Sequence, residues 1–410
     1  MKIKTKPSSV LIIFLCWLAY TVAYIGRLNF NAYIEPIRNQ LGASKTELGL
    51  VSSFFFFSYG AGQLFHGIMS KKYNPRYSVA VAVLGSAAVN LSMGFCADTD
   101  KMKYLWLVNG FFQSILWSSV IKMLSESLSD DMLPKAIVAM STPPALGTFI
   151  VYGMSALLSS FKAPYKSVFL ISAVLLAVTG TLWFTLTNNA EIHIKNGATA
   201  SADNTERKKL KLSPAFIVAA VLLMFAAIAN GFIKDGVTTW TPSILKERYH
   251  IDESFSILIT VILPLIAIGG AWLSTGLHKK WQNTSVLNSG LYLAETAILF
   301  LVILITRSSV NSPVMLIALF SISAMLMSAV NNIITSIIPL YMREKMESGL
   351  LAGVLDTFCY IGSSLSTGLL GYISDKNSWN GVFLCLFIFG AASFVICIIS
   401  VVNNKKEVKI

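Results

Sequence analysis

Charge is what this chain of 410 residues has least of. Asp, Glu, Lys and Arg make up 13% of it, against about a quarter in soluble domains. With 55% hydrophobic residues it has too little polar surface to cover a globule in water, so lipid is its natural solvent. Cysteine is also scarce. Cys16, Cys96, Cys359, Cys385 and Cys397 show no CxxC spacing and four of them lie inside apolar segments, which excludes a disulfide framework or a cysteine metal site. No GxxxxGK[ST] phosphate loop occurs, so nothing here hydrolyses ATP. No loop is long enough to fold as a catalytic domain, and the spans hold no nucleophile–base–orienter set, so an enzyme is not expected, nor any cofactor or metal. Acidic residues number 20 against 32 basic ones. The resulting +12 is scattered over short loops and tails, as in a membrane protein with basic cytoplasmic loops, and no basic domain exists to bind nucleic acid.

What the chain does have is long apolar runs. A spanning helix needs about 20 mostly apolar residues. Twelve such runs centre on 10–35, 46–70, 77–95, 104–124, 136–160, 167–187, 214–243, 254–277, 286–306, 313–337, 349–373 and 381–402. The first is too long for a signal peptide and ends in no small-residue cleavage pattern. With the N-terminus in the cytoplasm, 19 Lys/Arg fall inside and 10 outside, and Arg27, Lys122 and Lys234 lie within spans. That excess places both termini in the cytoplasm. The stretch 188–213 is polar and without helical periodicity, and reads as a flexible cytoplasmic linker. It divides the chain into 1–187 and 214–410, with six spans in each.

The first spans of the two halves match. Ala23-Tyr-Ile-Gly-Arg27-Leu-Asn-Phe-Asn-Ala-Tyr-Ile-Glu-Pro36 and Ala229-Asn-Gly-Phe-Ile-Lys234-Asp-Gly-Val-Thr-Thr-Trp-Thr-Pro242 each set one cation in an apolar helix ahead of a proline. At 1.5 Å per residue both cations sit roughly 12–13 Å short of the outer end. A cation in mid-span costs about 2.5–3.5 kcal/mol on insertion scales, so something must offset it. Arg27 has no acidic residue within one turn. Asp235 follows Lys234 but points about 100° away around a helix, which leaves Asp356 in the eleventh span as its expected partner. Structural ion pairing or snorkelling is the bland alternative; equal depth in two repeated halves points to a binding site on the axis between them.

Polar stripes accompany the cations. Tyr20, Tyr24, Arg27 and Asn31 share a face of the first span, and Asn230, Lys234 and Thr238 share one of the seventh. Tyr59, Gln63 and His66 share a face of the second, and Asn109, Gln113 and Trp117 one of the fourth. Such stripes must face protein or water, and several from both halves fit a lined cavity. Other polar residues have plainer readings. Lys122 is expected to snorkel, Glu295 to have a buried structural partner, and His66 to pack or gate. Pro143-Pro144 should kink the fifth span, and Gly349 with Gly353 should make a close helix contact.

The stretches Tyr24-Ile-Gly-Arg27-Leu-Asn29-Phe30, LGASKTELG and SYGAGQLFHGIMSKKYNPR resemble the organophosphate:phosphate antiporter family of the major facilitator superfamily. So do NGFFQSILWSSV, TTWTPSILKE and YIGSSLSTGLLGYISDKNSWNGVF, and the resemblance covers nearly the whole chain. It implies an all-α membrane protein with the major facilitator fold, twelve transmembrane helices in two six-helix halves. It also implies that Arg27 and Lys234 stand at the family's two substrate-binding arginine positions. Lysine keeps the charge there but loses the bidentate fork that suits phosphate. Gln63 stands where relatives like the glycerol-3-phosphate transporter carry a lysine, Pro144 about where they carry a binding histidine, and Asp356 at what looks like a glycine position. The loop Gly67-Ile-Met-Ser-Lys71-Lys72 lacks the superfamily's usual Asp. These departures remove positive charge from the site and add negative charge, so the solute is expected to carry less charge than a sugar phosphate or to be zwitterionic.

The expectation is therefore a secondary transporter of a small anionic organic solute. It would be a monomer in the cell membrane and would work by alternating access. The expected binding residues are Arg27, Lys234, Tyr24, Asn31, Tyr59, Gln63, Asn230, Thr238, Asp356 and Tyr360. Two alternatives stand beside it: an ion-coupled symporter like the related anion:cation symporters, and a non-transporting sugar-phosphate sensor of the same fold.

Overall fold

The computed structural model describes residues 8–69, 73–129, 131–187, 214–308, 312–342 and 348–407. The linker expected over 188–213 and positions 70–72 of the loop after the second span lie outside the described residues. Among the described residues all regular structure is helical.

The first span is α1 (Ser9–Ala32), opened by the Ser8 hydroxyl, which accepts from the Leu11 amide. The chain bends at Tyr33 and continues as α2 (Ile34–Leu41), with Pro36 in its first turn, where a missing N–H breaks no helical bond. Then follow α3 (Lys45–Met69) and α4 (Pro75–Gly94). The fourth span is α5 (Thr99–Ser114) with α6 (Leu116–Ser127). The fifth is α7 (Leu133–Ala139) with α8 (Pro143–Ser160), and the sixth is α9 (Lys166–Leu186). The two prolines do more than kink the fifth span. α7 stops at Ala139, and Pro143 opens a new helix at the position where its lost donor is harmless.

The seventh span is α10 (Pro214–Tyr249), continuous through Pro242. The eighth is α11 (Glu253–Thr260) with α12 (Ile262–Lys280), and the ninth is α13 (Thr284–Arg307). The tenth runs from α14 (Pro313–Asn332) through a π-helical turn, Ile333–Ile337, to α15 (Ile338–Tyr341). Finally α16 (Ser348–Glu407) contains Ser378, whose φ of 65° and ψ of 175° are not helical. Its apolar stretch Leu350–Val402 is far too long for one crossing of a hydrocarbon core about 30 Å thick, and it turns back at Ser378. Among the described residues eleven helices are long and apolar enough to cross a membrane, and the reversal in the last makes twelve crossings. Twelve crossings return the chain to the end where α1 began; the opposite end is called the far end below.

The burial pattern fits lipid as solvent. Phe57, Val81, Val174 and Ile388 are exposed in mid-helix, while Asn90, Asn109, Ser172, Thr260 and Glu295 are fully buried. Among the first six spans, α1 packs on α8 and α9, α3 on α5, and α4 on α9. Among the last six, α10 and α13 pack on α16, and α12 on α14. The two sets meet where α3 runs along α16 and α8 along α11. One expected contact is absent: a Cβ at Gly353 would meet nothing within 4 Å. The close approach of α16 to α10 lies two to three turns further on, at Gly362, where the packing leaves no room for a side chain.

Candidate substrate-binding site

Arg27 is 8% exposed in the last third of α1. Its guanidinium carbon lies 4.2 Å from the centre of the Tyr59 ring, 5.2 Å from Tyr24, and 5.7 Å from both Phe55 and Tyr360. Its Nη2 donates to the Tyr360 hydroxyl at 2.9 Å. Among the described residues no carboxylate lies within 4 Å of it. Ring faces and one hydroxyl thus offset the buried charge, and no counter-ion occupies the fork. Gly60 makes the arrangement possible, since a Cβ there would stand 2.8 Å from the Tyr360 Cβ and push α3 and α16 apart.

Beside Arg27 is a cavity of about 310 Å³. The first set of spans lines it with Tyr24, Arg27, Leu28 and Asn31 of α1, Phe56 of α3, and Ser141, Pro144, Ala145, Thr148 and Tyr152 of the fifth span. The second set supplies Lys234, Asp235, Thr238 and Thr239 of α10, Pro264, Ala267 and Ile268 of α12, Ala324 and Ser328 of α14, and Tyr360 of α16.

The second cation differs from the first. Lys234 Nζ is 3.8 Å from Asp235 Oδ2, and the Ser363 hydroxyl donates to that same carboxylate oxygen. The expected pairing with Asp356 is thus replaced by one with the sequence neighbour. Both residues sit on the cavity wall, and the long lysine arm bends across the angle that a helical wheel sets between them. Asp356 stands outside ion-pair distance of Lys234, near enough to feel its charge and close to Gln63.

Of the ten expected binding residues, Tyr24, Arg27, Asn31, Lys234, Thr238 and Tyr360 line the cavity. Tyr59, Gln63 and Asp356 are not among the lining residues; the Tyr59 ring packs against the Arg27 guanidinium, and Gln63 and Asp356 lie close to each other, both partly exposed. Asn230 faces away from the cavity. It is fully buried and donates to the Met327 carbonyl at 2.6 Å, tying α10 to α14. The stripe on the fourth span also turns inward. Asn109 donates to the Gly26 carbonyl at 3.0 Å, Gln113 donates to the Ser86 hydroxyl at 2.9 Å, and Trp117, partly exposed, leans on Tyr20 with tilted rings whose centres are 5.0 Å apart. A polar stripe fits a neighbouring helix as well as a cavity, which is why the sequence pattern did not separate the two.

The plainer residues are placed too. Lys122 donates to the Tyr73 carbonyl at 2.7 Å and lies 3.8 Å from Glu126. His66 packs against Phe65, Tyr73 and Phe111. Glu295 accepts from the Ser323 hydroxyl at 2.6 Å, a buried structural partner. Among the lining residues that sequence reasoning passed over are the polar or charged Asp235, Thr148, Tyr152, Ser141, Thr239 and Ser328. Pro144, Thr148 and Tyr152 recur every four residues, a stripe that would have marked the fifth span as a wall.

The far end of the cavity is closed by charges shared between the two sets of spans. Arg38 and Lys45 each approach Glu247 to 2.8 Å, Arg38 holds Glu35 at 3.0 Å, and Lys45 is 3.9 Å from Asp375. Lys246 lies 3.7 Å from Glu35 and pairs with Glu253, which also accepts from Asn39 at 2.7 Å and Ser159 at 2.9 Å. Trp379 adds a bond to Glu247 at 2.9 Å. The polar contacts between the two sets among the described residues all come from the middle or far end of the helices, as with Ser53–Ser364 and Thr357–Gly60. The conformation is therefore closed at the far end.

A deep cation without a counter-ion, in a cavity walled by both sets of spans and shut at one end, is the arrangement of a solute carrier. The Major Facilitator Superfamily model matches residues 16–366, and the chain belongs to that family of membrane transporters. It is similar to the glycerol-3-phosphate transporter of Bacillus subtilis (strain 168), 25% identical over 90% of this chain and 87% of that one. It is also similar to the probable hexose phosphate transport protein of Chlamydia pneumoniae, 21% identical over 94% and 90%. Among solved structures it shares its fold with a bacterial homolog of the human lysosomal transporter Spinster, crystallised in an inward-facing and occupied conformation. The TM-score is 0.72, with 14% identity over 97% of this chain and 96% of that one.

Proposed function

We propose that this protein is a secondary active transporter of a small anionic organic solute, with a phosphate ester or a group of similar charge as the anion. The observation that carries the reading is Arg27: buried in mid-membrane, on the cavity wall, fixed by Tyr360 and free of any carboxylate within 4 Å among the described residues. Its planar fork suits a phosphate or carboxylate. The similarity to carriers of phosphorylated solutes supports this choice of anion.

Transport then works by alternating access. The units 1–187 and 214–410, joined by 188–213, rock about the cavity, and the far-end network of Glu35, Arg38, Lys45, Glu247 and Asp375 breaks when the far side opens. The terminal end is the cytoplasmic side of the cell membrane, following the excess of basic loop residues there. A single chain suffices, since one chain supplies every wall of the cavity.

The test is uptake or exchange of candidate organophosphates in proteoliposomes containing wild type, Arg27→Ala or Lys234→Ala. Arg27→Ala should abolish transport. Wild-type rates in both mutants would overturn the site.

A further inference from the structure

The cavity wall contributed by the last six spans is not simply cationic. Asp235 lies on it beside Lys234, and both the lysine ammonium and the Ser363 hydroxyl address the same oxygen, Oδ2. The other oxygen, Oδ1, takes no hydrogen bond among the described residues. Close by is Asp356, beside Gln63 and near enough to Lys234 to feel its charge. Arg27 and Lys234 thus face Asp235 and Asp356, two charges of each sign. Of the two cations, only Arg27 is free of a carboxylate within 4 Å among the described residues.

A doubly charged anion fits this balance poorly. Of the two cations on the wall it finds one free of a carboxylate among the described residues, and at Lys234 it must displace a carboxylate that a hydroxyl already holds in place. A solute with an anion at one end and an ammonium at the other leaves no charge unmatched, the anion on the Arg27 fork and the ammonium on Asp235. We infer that Asp235 is the specificity-determining residue of the cavity and that the solute is a zwitterion, an amine-bearing organic anion. Lys234 then acts mainly by holding Asp235 in place. The inference rests on the anion-carrier reading and narrows its substrate class.

The experiment compares two probes of one skeleton, ethyl phosphate and aminoethyl phosphate, by the thermal stability of purified full-length protein titrated with each. Wild type should bind aminoethyl phosphate more tightly, on the order of tenfold, as expected for a charge-assisted bond. Asp235→Asn should reverse the order, weakening the amine-bearing probe and, by releasing Lys234, strengthening ethyl phosphate. General damage to the fold would instead weaken both probes together. Ser363→Ala, which keeps the carboxylate but loosens it, should shrink the preference without reversing it. Arg27→Ala should lose both probes.

Equal or tighter binding of ethyl phosphate by wild type, or an undiminished preference for aminoethyl phosphate in Asp235→Asn, overturns the zwitterion. If Arg27→Ala still loses both probes in that case, the anion site stands. Retention of both probes in Arg27→Ala would instead sink the anion site itself. Failure of both probes to stabilise the wild type at millimolar concentration counts against the zwitterion.

Discussion

Arg27 and Tyr360 are 333 residues apart in the chain and hydrogen-bonded at 2.9 Å, so the group proposed to bind the anion is positioned by a side chain of the eleventh span. Tyr360→Phe keeps the ring, which packs 4.7 Å from Tyr59, and removes only the acceptor. The expected cost is about 0.5–1.5 kcal/mol of substrate affinity, roughly 2- to 10-fold in the KM of uptake, with the protein still folded. Arg27→Lys, which loses the fork as well, should cost more. If Tyr360→Phe transports with unchanged KM, the hydroxyl does not position the guanidinium.

Asn29, two residues from Arg27 in the Arg-Leu-Asn-Phe stretch, serves the scaffold. Its Nδ2 donates to Asn90 at 2.7 Å and to the Ser172 hydroxyl at 3.0 Å, and Asn90 in turn donates to the Gly26 carbonyl at 3.1 Å. The group is fully buried and joins α1, α4 and α9. Asn29→Leu strands these partners and should lower stability by about 1–2 kcal/mol, seen as a lower melting temperature in detergent. Ligand affinity of the folded fraction should stay at the wild-type value. A mutant with wild-type melting and weakened ligand binding would mean that Asn29 belongs to the site.

The contrast between Arg27 and Asn29 shows what the sequence could and could not say. The twelve crossings and the two deep cations were legible because a polar group in an apolar run is costly and therefore conspicuous. What each polar group faces was not. Asn31 on the cavity, Asn230 against Met327 and Asn109 against Gly26 look alike in periodicity, because a neighbouring helix and a water-filled cavity satisfy the same amide. Asp235 was discounted on the helical-wheel angle, which ignores how far a lysine arm bends. The far-end network was invisible for another reason. Its members sit in the short α2, at helix ends and near the reversal of α16, from Glu35 to Asp375, where spacing carries no pairing information.

Glycine is irreplaceable where α10 crosses α16. A Cβ at Gly231 would stand 1.8 Å from the Cys359 carbonyl oxygen, and one at Gly362 would stand 1.8 Å from the Ile228 carbonyl oxygen. These are backbone atoms that cannot step aside. Gly362→Ala should destabilise the protein by about 1–3 kcal/mol or prevent its accumulation. Gly353→Ala, on the same helix with open space beside it, should be neutral or stabilising by up to about 1 kcal/mol through helix propensity. The melting temperatures of the two variants are the measurement, and equal values would mean that the crossing is looser than this.

Glu247 is the hub of the far-end closure, since Arg38, Lys45 and Trp379 all converge on its carboxylate from α2, α3 and α16. Glu247→Gln keeps the shape and the bond from Trp379 but removes the charge that two cations of the first set share. Those cations fall back on Glu35 at 3.0 Å and Asp375 at 3.9 Å. Only the second of these joins the two sets, so closure weakens without vanishing. Because Glu247 is about a quarter exposed, the loss should be modest, about 1 kcal/mol, which shifts the closed–open equilibrium roughly five-fold toward the form open at the far end. Thr239 lies on the cavity wall and is nearly inaccessible in the closed form, which makes Thr239→Cys a reporter. In oriented vesicles with the native cysteines replaced, an impermeant maleimide added on the far side should label this cysteine several-fold faster in Glu247→Gln than in the parent. A slower or unchanged rate would mean that the charges at Glu247 do not hold the far side shut.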